Sequence, residues 1–217
     1  MNTFSLHGQV VQFLPEGVVF LPDHGALIVA DVHLGKSATF RAKGLPVPEG
    51  DTHRDLARLL ALLAETGARR LIVAGDLFHA PSGITPEIER EIATFLQRLE
   101  IPFHLVCGNH DAKIRRLPCS IDSQAFLQME NIRIIHDPRD ASGESLHLAG
   151  HWHPMVKIPD GRRTSLRLPC FLLRGTTLVL PSFGSFTGGA VIPLHPDDRI
   201  FVPMRNKVVE LPRELVR

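Results

Sequence analysis

Apolar and polar positions alternate along this chain in two periods. Ala26–His33 (ALIVADVH), Arg69–Asp76 (RRLIVAGD) and Phe103–Asp111 (FHLVCGNHD) are short β-rich apolar runs, each read as a strand. Between them lie helical patterns. Asp51–Gly67 places Leu56, Leu59, Leu60 and Leu63 on one face, with Gly67 as the C-terminal cap. TPEIEREIATFLQRLE begins with Thr85 as N-cap, Pro86 at the first helical position and acids in the first turn. Asn131–Asp137 (NIRIIHD) and Ser145–His151 (SLHLAGH) read as two more strands. Beyond His153 the helical period stops, and short strands separated by Pro and Gly take over; the first 20 residues read the same way. The pattern predicts an α/β centre with a second sheet closing against the first.

Composition bounds the answer further. The chain has 217 residues, 44% hydrophobic and 22% charged, which suits one domain spanning 1–217 with its own core. Lys and Arg number 24 against 23 Asp and Glu, a net charge of +1 that excludes a strongly cationic binder or an acidic disordered tail. No apolar run reaches the roughly 20 residues of a membrane span, and no signal peptide is visible, so a cytoplasmic protein is expected. Cys107, Cys119 and Cys170, widely spaced and odd in number, are expected as reduced thiols. The outlier is histidine, with 12 copies beside no tyrosine.

Many of those histidines stand where strands end. ALIVA runs into Asp31-Val-His33, LIVAG into Asp76 and FHLVCG into Asn109-His110-Asp111; NIRII runs into His136 and SLHLAG into His151-Trp152-His153. Ligands of α/β sheets bind at the carboxyl ends of strands. Seven oxygen or nitrogen donors at five such ends are not a core-packing pattern. Imidazole, carboxylate and amide without thiolate favour Mn, Fe or Zn in a borderline-hard site.

The ordered blocks D-x-H, G-D, G-N-H-D, a lone His and G-H-x-H resemble the binuclear metallophosphoesterases, the calcineurin-like superfamily. HLGKSATFRAKGLPVPEGD, GDLFHAPSG and LVLPSFGSFTGG resemble one bacterial branch more closely, the ligase-associated DNA damage response endonucleases (PdeM type). GDLFHAPSG is also similar to the matching block of the Mre11 and SbcD nucleases. The resemblance implies two mixed β-sheets packed face to face with helices outside, an αββα sandwich. It implies two divalent metal ions, Mn2+ first, although the donor set alone also permits Fe or Zn. Asp31, His33, Asp76 and His153 would hold one ion; Asp76, Asn109, His136 and His151 would hold the other, with Asp76 bridging. Two such metals neutralise the phosphodiester and supply a bridging hydroxide. His110 would act as general acid, with Asp111 orienting its imidazole and raising its pKa. No protein nucleophile stands at a strand end, so no covalent intermediate is expected. The implied function is DNA endonuclease in repair, on single-stranded DNA. The implied partners are DNA, read without sequence preference, and functionally an ATP-dependent DNA ligase and a helicase, with no membrane.

Some roles stay open at this level. His147 and His104 compete with His136 for the lone ligand, though both sit inside apolar runs. His79 is either at the rim of the site or in a surface loop. Trp152 either stacks on a base or packs beside the site. Lys36, Arg41 and Lys43 either grip flanking phosphates or lie in a solvated loop, and Ser182–Gly189 (SFGSFTGG) either presents amides to a phosphate or is a turn. Residues 161–217 carry nine Lys/Arg against four Asp/Glu, which allows a basic face beside the cleft and salt-sensitive binding. The same metal core also serves small nucleotide diesters and cyclic phosphates, the alternative substrate class. A non-catalytic scaffold would show degraded ligands, and here every block is intact.

Overall fold

The computed structural model describes residues 2–159, 161 and 164–216. Three antiparallel hairpin steps open the chain, joining β1 (Asn2–Leu6), β2 (Gln9–Leu14), β3 (Val18–Leu21) and β4 (Ala26–Val29). From β4 the sheet turns parallel, through β5 (Arg70–Ala74) and β6 (Phe103–Val106) to the edge strand β7 (Ser123–Gln124). Parallel neighbours need long crossovers. Here α1 (Lys36–Ala42) and α2 (Asp51–Thr66) link β4 to β5, and α3 (Pro86–Arg98) links β5 to β6. The caps are those the sequence predicts. Gly67 ends α2 in a left-handed conformation, and the Thr85 side chain accepts from the Ile88 amide at the start of α3.

The second half of the chain supplies β8 (Leu127–Met129), β9 (Ile132–Ile134), β10 (Leu146–Ala149), β11 (Pro154–Pro159) and β12 (Ser165–Pro169). It continues with β13 (Phe171–Arg174), β14 (Thr177–Val179), β15 (Ala190–Val191), β16 (Arg199–Pro203) and β17 (Val208–Leu211). Seven of these form a second mixed sheet in the order β17-β16-β13-β14-β10-β9-β8, with β9, β10 and β14 parallel. The remaining strands, β12-β11-β15, make a small third sheet.

The two large sheets pack face to face. Val11, Phe13, Ile28 and Ile72 from the first meet Ile134, Leu148, Phe171 and Phe201 from the second in one buried cluster. Phe13 stacks on Phe171 at 4.5 Å between centroids and meets Phe201 edge-on at 4.9 Å. Truncating such a ring to Ala costs about 3–5 kcal/mol. Leu59 and Leu63 of α2, with Ile92 and Phe95 of α3, cover the outer face of the first sheet over Leu27, Val29, Leu71 and Val73. The sandwich with helices outside is therefore as expected, with all three α-helices of the described residues before Leu99. Outside the second sheet, Val156, Ile158 and Leu168 of the small sheet cover Leu172, Val179 and Ile200. This α/β arrangement brings the carboxyl ends of β4, β5, β6, β9 and β10 to one edge.

Candidate metal centre

At that edge the backbone is bent out of the sheets by the donor residues themselves. Asp31, His33, Asp76, His151 and His153 all have positive φ, between 44° and 69°. Such conformations cost an L-residue of order 1–3 kcal/mol each and persist only where the surroundings over-determine them. The surroundings here are crowded. A Cβ on Gly75 would lie 2.0 Å from His136 Nδ1, and one on Gly108 would lie 2.0 Å from Asp76 Oδ1. The glycines of G-D and G-N-H-D are therefore required by the side chains they let through.

Four of the donors are aimed by a hydrogen bond from the far side. His136 Nδ1 lies 3.0 Å from the Ala74 carbonyl and His153 Nδ1 lies 3.1 Å from the Gly188 carbonyl. A carbonyl only accepts, so both rings carry their proton on Nδ1 and turn the Nε2 lone pair into the cleft. The His151 amide donates to Asp31 Oδ2 at 2.9 Å, leaving Oδ1 buried without a hydrogen bond. The His110 amide donates to Asp76 Oδ1 at 2.8 Å, leaving Oδ2 free.

The lone pairs so released converge on one another. His153 Nε2 is 3.1 Å from Asp31 Oδ1 and 3.5 Å from His33 Nε2. His136 Nε2 is 3.1 Å from Asn109 Oδ1 and 3.5 Å from Asp76 Oδ2, while His33 Nε2 is 4.0 Å from that same oxygen. Acceptors this close, without a donor between them, repel unless a cation sits among them. Adjacent ligands of an ion bound at about 2.1 Å are themselves about 3 Å apart. Asp31 with His33 and His153, and Asp76 with His136 and His151, each form a nest able to hold a divalent ion. Asp76 Oδ2 faces both.

The electrostatics agree with that donor set. Burial, then the neighbouring His153, Lys36, His110 and His79, push the His33 pKa down to about 2, so its ring is a neutral donor at every working pH. Burial raises the Asp76 carboxyl against the pull of His136, and Asp31 adds repulsion. Burial opposes a charge on His153, but the Asp31 carboxylate and the Gly188 carbonyl outweigh it and raise that pKa. Asp31 thus demands a positive neighbour.

The remaining candidates divide. His110 stands at the mouth, its Nε2 3.9 Å from Asp76 Oδ2, and its Nδ1 donates to the His79 carbonyl at 2.5 Å. The His79 ring stacks on the His110 ring, and burial with Lys36, His110, Lys43 and Lys113 nearby lowers its pKa to about 4. Asp111 does not orient His110, contrary to expectation. Its carboxylate is buried and accepts three backbone amides, Leu77 at 3.2 Å, Phe78 at 3.0 Å and Gly108 at 3.1 Å. It pins the loop after Asp76 to the loop bearing Asn109, and the His79 carbonyl aims the imidazole instead. His147 is fully buried on β10 and takes the Ser142 amide, and His104 lies within β6, so His136 is the histidine at the strand end beside Asp76.

Lys36 starts α1 beside His33 rather than lying in a loop, half-buried and with its pKa lowered by burial. Arg41 is turned to the Pro48 carbonyl and Glu49. Trp152 packs against the cluster outside the second sheet, with the Arg174 guanidinium 5.6 Å from its ring. The amides of SFGSFTGG are largely committed: Phe183 to Ala30, Gly184 to Asp31, Ser185 to Asp55 and Thr187 to Gly184. Sequence reasoning missed Asp137, whose carboxylate is 3.7 Å from His151 Nε2 and is held below the usual range by Arg139 despite partial burial. Its position next to His136 was the available signal.

The calcineurin-like phosphoesterase family model matches residues 26–152, more than half of the chain and a stretch that carries every donor except His153, which follows it directly. The chain belongs to the calcineurin-like phosphoesterase family. Over nearly all of its length this phosphoesterase is similar to the Pseudomonas putida nuclease MPE, at 32% identity and a TM-score of 0.79, covering 97% of this chain and 99% of that one. It also aligns with Yfce, a phosphoesterase from E. coli, at 17% identity and a TM-score of 0.45, over 83% of this chain and 88% of that one. A search of curated proteins returns no match. A metal-dependent phosphoester hydrolase with two divalent metals is what the family and the clustered Asp and His donors support.

Proposed function

We propose that this phosphoesterase is a manganese-dependent DNA endonuclease that cuts single-stranded DNA in repair. The observation that carries the reading is the pair of donor nests, Asp31 with His33 and His153 and Asp76 with His136 and His151, with Asp76 Oδ2 4.0 Å from His33 Nε2, in a chain that aligns over 97% of its length with a nuclease. Asp31, His33, Asp76 and His153 would hold one ion; Asp76, Asn109, His136 and His151 would hold the other. Bound there, two such metals would neutralise the phosphodiester and supply a hydroxide nucleophile at neutral pH. His110, its Nδ1–H aimed by the His79 carbonyl, would act as an imidazolium, giving its second proton from Nε2 to the departing alkoxide oxygen and keeping the one on Nδ1. Asp111 keeps the Asp76 and Asn109 loops in register. Association with a DNA ligase and a helicase belongs to the same proposal, through the resemblance of the flanking blocks.

The test uses a closed circular single strand, the linear strand and duplex DNA. Metal-stripped protein is incubated with each, with and without manganese, beside Asp76→Ala as control for a contaminating nuclease. Manganese-dependent opening of the circle, absent in Asp76→Ala, is expected. Hydrolysis of a generic aryl phosphodiester with every DNA intact would overturn the nuclease reading and move the substrate to a small nucleotide diester.

A further inference from the structure

A row of rings leads out of the metal centre. His33 meets His110 edge-on at 4.9 Å, His110 stacks on His79 at 5.1 Å, and His79 meets Phe40 at 6.0 Å. Phe40 in turn meets Phe186 at 5.7 Å. Phe186 ends the row and is 38% exposed, a large apolar ring left in water at the lip of a catalytic cleft.

The turn that carries Phe186 is fixed at both ends to the metal centre. Before it, the Phe183 amide binds the Ala30 carbonyl and the Gly184 amide binds the Asp31 carbonyl. After it, the Gly188 carbonyl accepts from the His153 ring and the Ala190 amide donates to the His153 carbonyl. The Asp55 carboxylate beneath holds both the amide and the hydroxyl of Ser185, and Arg58 reaches from Asp55 to the Phe183 carbonyl. An exposed ring on a turn so braced costs little further ordering when it binds.

We propose that Phe186, backed by Phe40, is a stacking platform for one unpaired nucleobase of the substrate strand. The proposal rests on the nuclease reading and specifies how a single strand is chosen. A base in a duplex already has its faces covered by its neighbours, whereas an unpaired base offers a face to an aromatic ring regardless of sequence. Charge around the platform suits the same occupant. Lys36 and Lys43, at the two ends of α1, and Lys113, in the turn after Asp111, lie close enough to act on the adjacent His79 and can take the phosphates flanking the stacked nucleotide. Trp152, the aromatic candidate from sequence, faces the opposite side of the second sheet.

The test compares an oligothymidylate with versions carrying one abasic site at each position in turn. On the intact strand, Phe186→Ala is expected to raise KM about tenfold and Phe186→Trp to restore it. On the strand whose abasic site falls at the stacking position, wild type and Phe186→Ala should have the same KM. If the wild type cuts the intact strand and Phe186→Ala matches its KM there, the platform is refuted and the nuclease reading stands. If the wild type neither binds nor cuts any strand, both fail.

Discussion

Asp76 carries two loads with two oxygens. Oδ1 holds the His110 amide, and Oδ2 stands among the His33, His110 and His136 ring nitrogens. Without metal that second oxygen is a buried charge, which is why burial raises its pKa. A carboxyl whose folded pKa lies above its unfolded one costs stability at neutral pH, and the cost disappears as pH falls below the unfolded value. Asp76→Asn keeps the acceptor for His110 and removes the charge. In chelator it should melt at a higher temperature than wild type, by the equivalent of about 1 kcal/mol. In excess manganese the order should reverse, and thermal melts in both conditions check it. His110→Ala should keep its metal and slow DNA cleavage by about 10²–10⁴-fold. A phenolate leaves without a proton, so an aryl diester should be affected far less; equal losses on both substrates would remove His110 from the proton-donor role.

At the scale of elements, the centre is made of turns held by other turns. Asp111 is the clearest brace, one carboxylate closing three amides from two loops. Asp111→Ala would orphan those donors, and a loss of about 2–4 kcal/mol in chemical denaturation is expected, together with weaker manganese binding. Its job was not legible in the sequence, because Leu77 and Phe78 lie more than 30 residues away and adjacency to His110 suggested the wrong partner. The clustering of the candidate donor side chains was legible, since each follows an apolar run and each run became a strand. The helix α1 was not, because seven residues are too few to establish a period. It is set in place by tertiary bonds, with Ser37 on Asp51 and the Gly35 amide on Thr52. Trp152 shows the same limit from the other side. Flanked by two cleft histidines it left both base stacking and packing open in the sequence; the backbone bends at His151 and His153 and Trp152 packs against the cluster outside the second sheet.

At the scale of the molecule, the two sheets each bring half of the site. Asp31, His33, Asp76 and Asn109 follow strands of the first sheet, and His136, His151 and His153 follow strands of the second. The sandwich was foreseeable from strand material at both ends of an α/β centre. The small sheet covering the outer face of the second was not, because short strands with Pro and Gly carry no signal of which face they cover. Ions bound at this seam would tie the two halves together, so manganese at about 100 times its dissociation constant should stabilise the fold by about 2.7 kcal/mol per site. On this reading one carboxylate, Asp76, would join two ions. Manganese bound per chain, counted by equilibrium dialysis and followed by electron paramagnetic resonance, tests it most directly. Two ions per chain with an exchange-coupled signal, and loss of that coupling in Asp76→Ala, are expected. A single ion per chain, or two that remain uncoupled in the wild type, would contradict it.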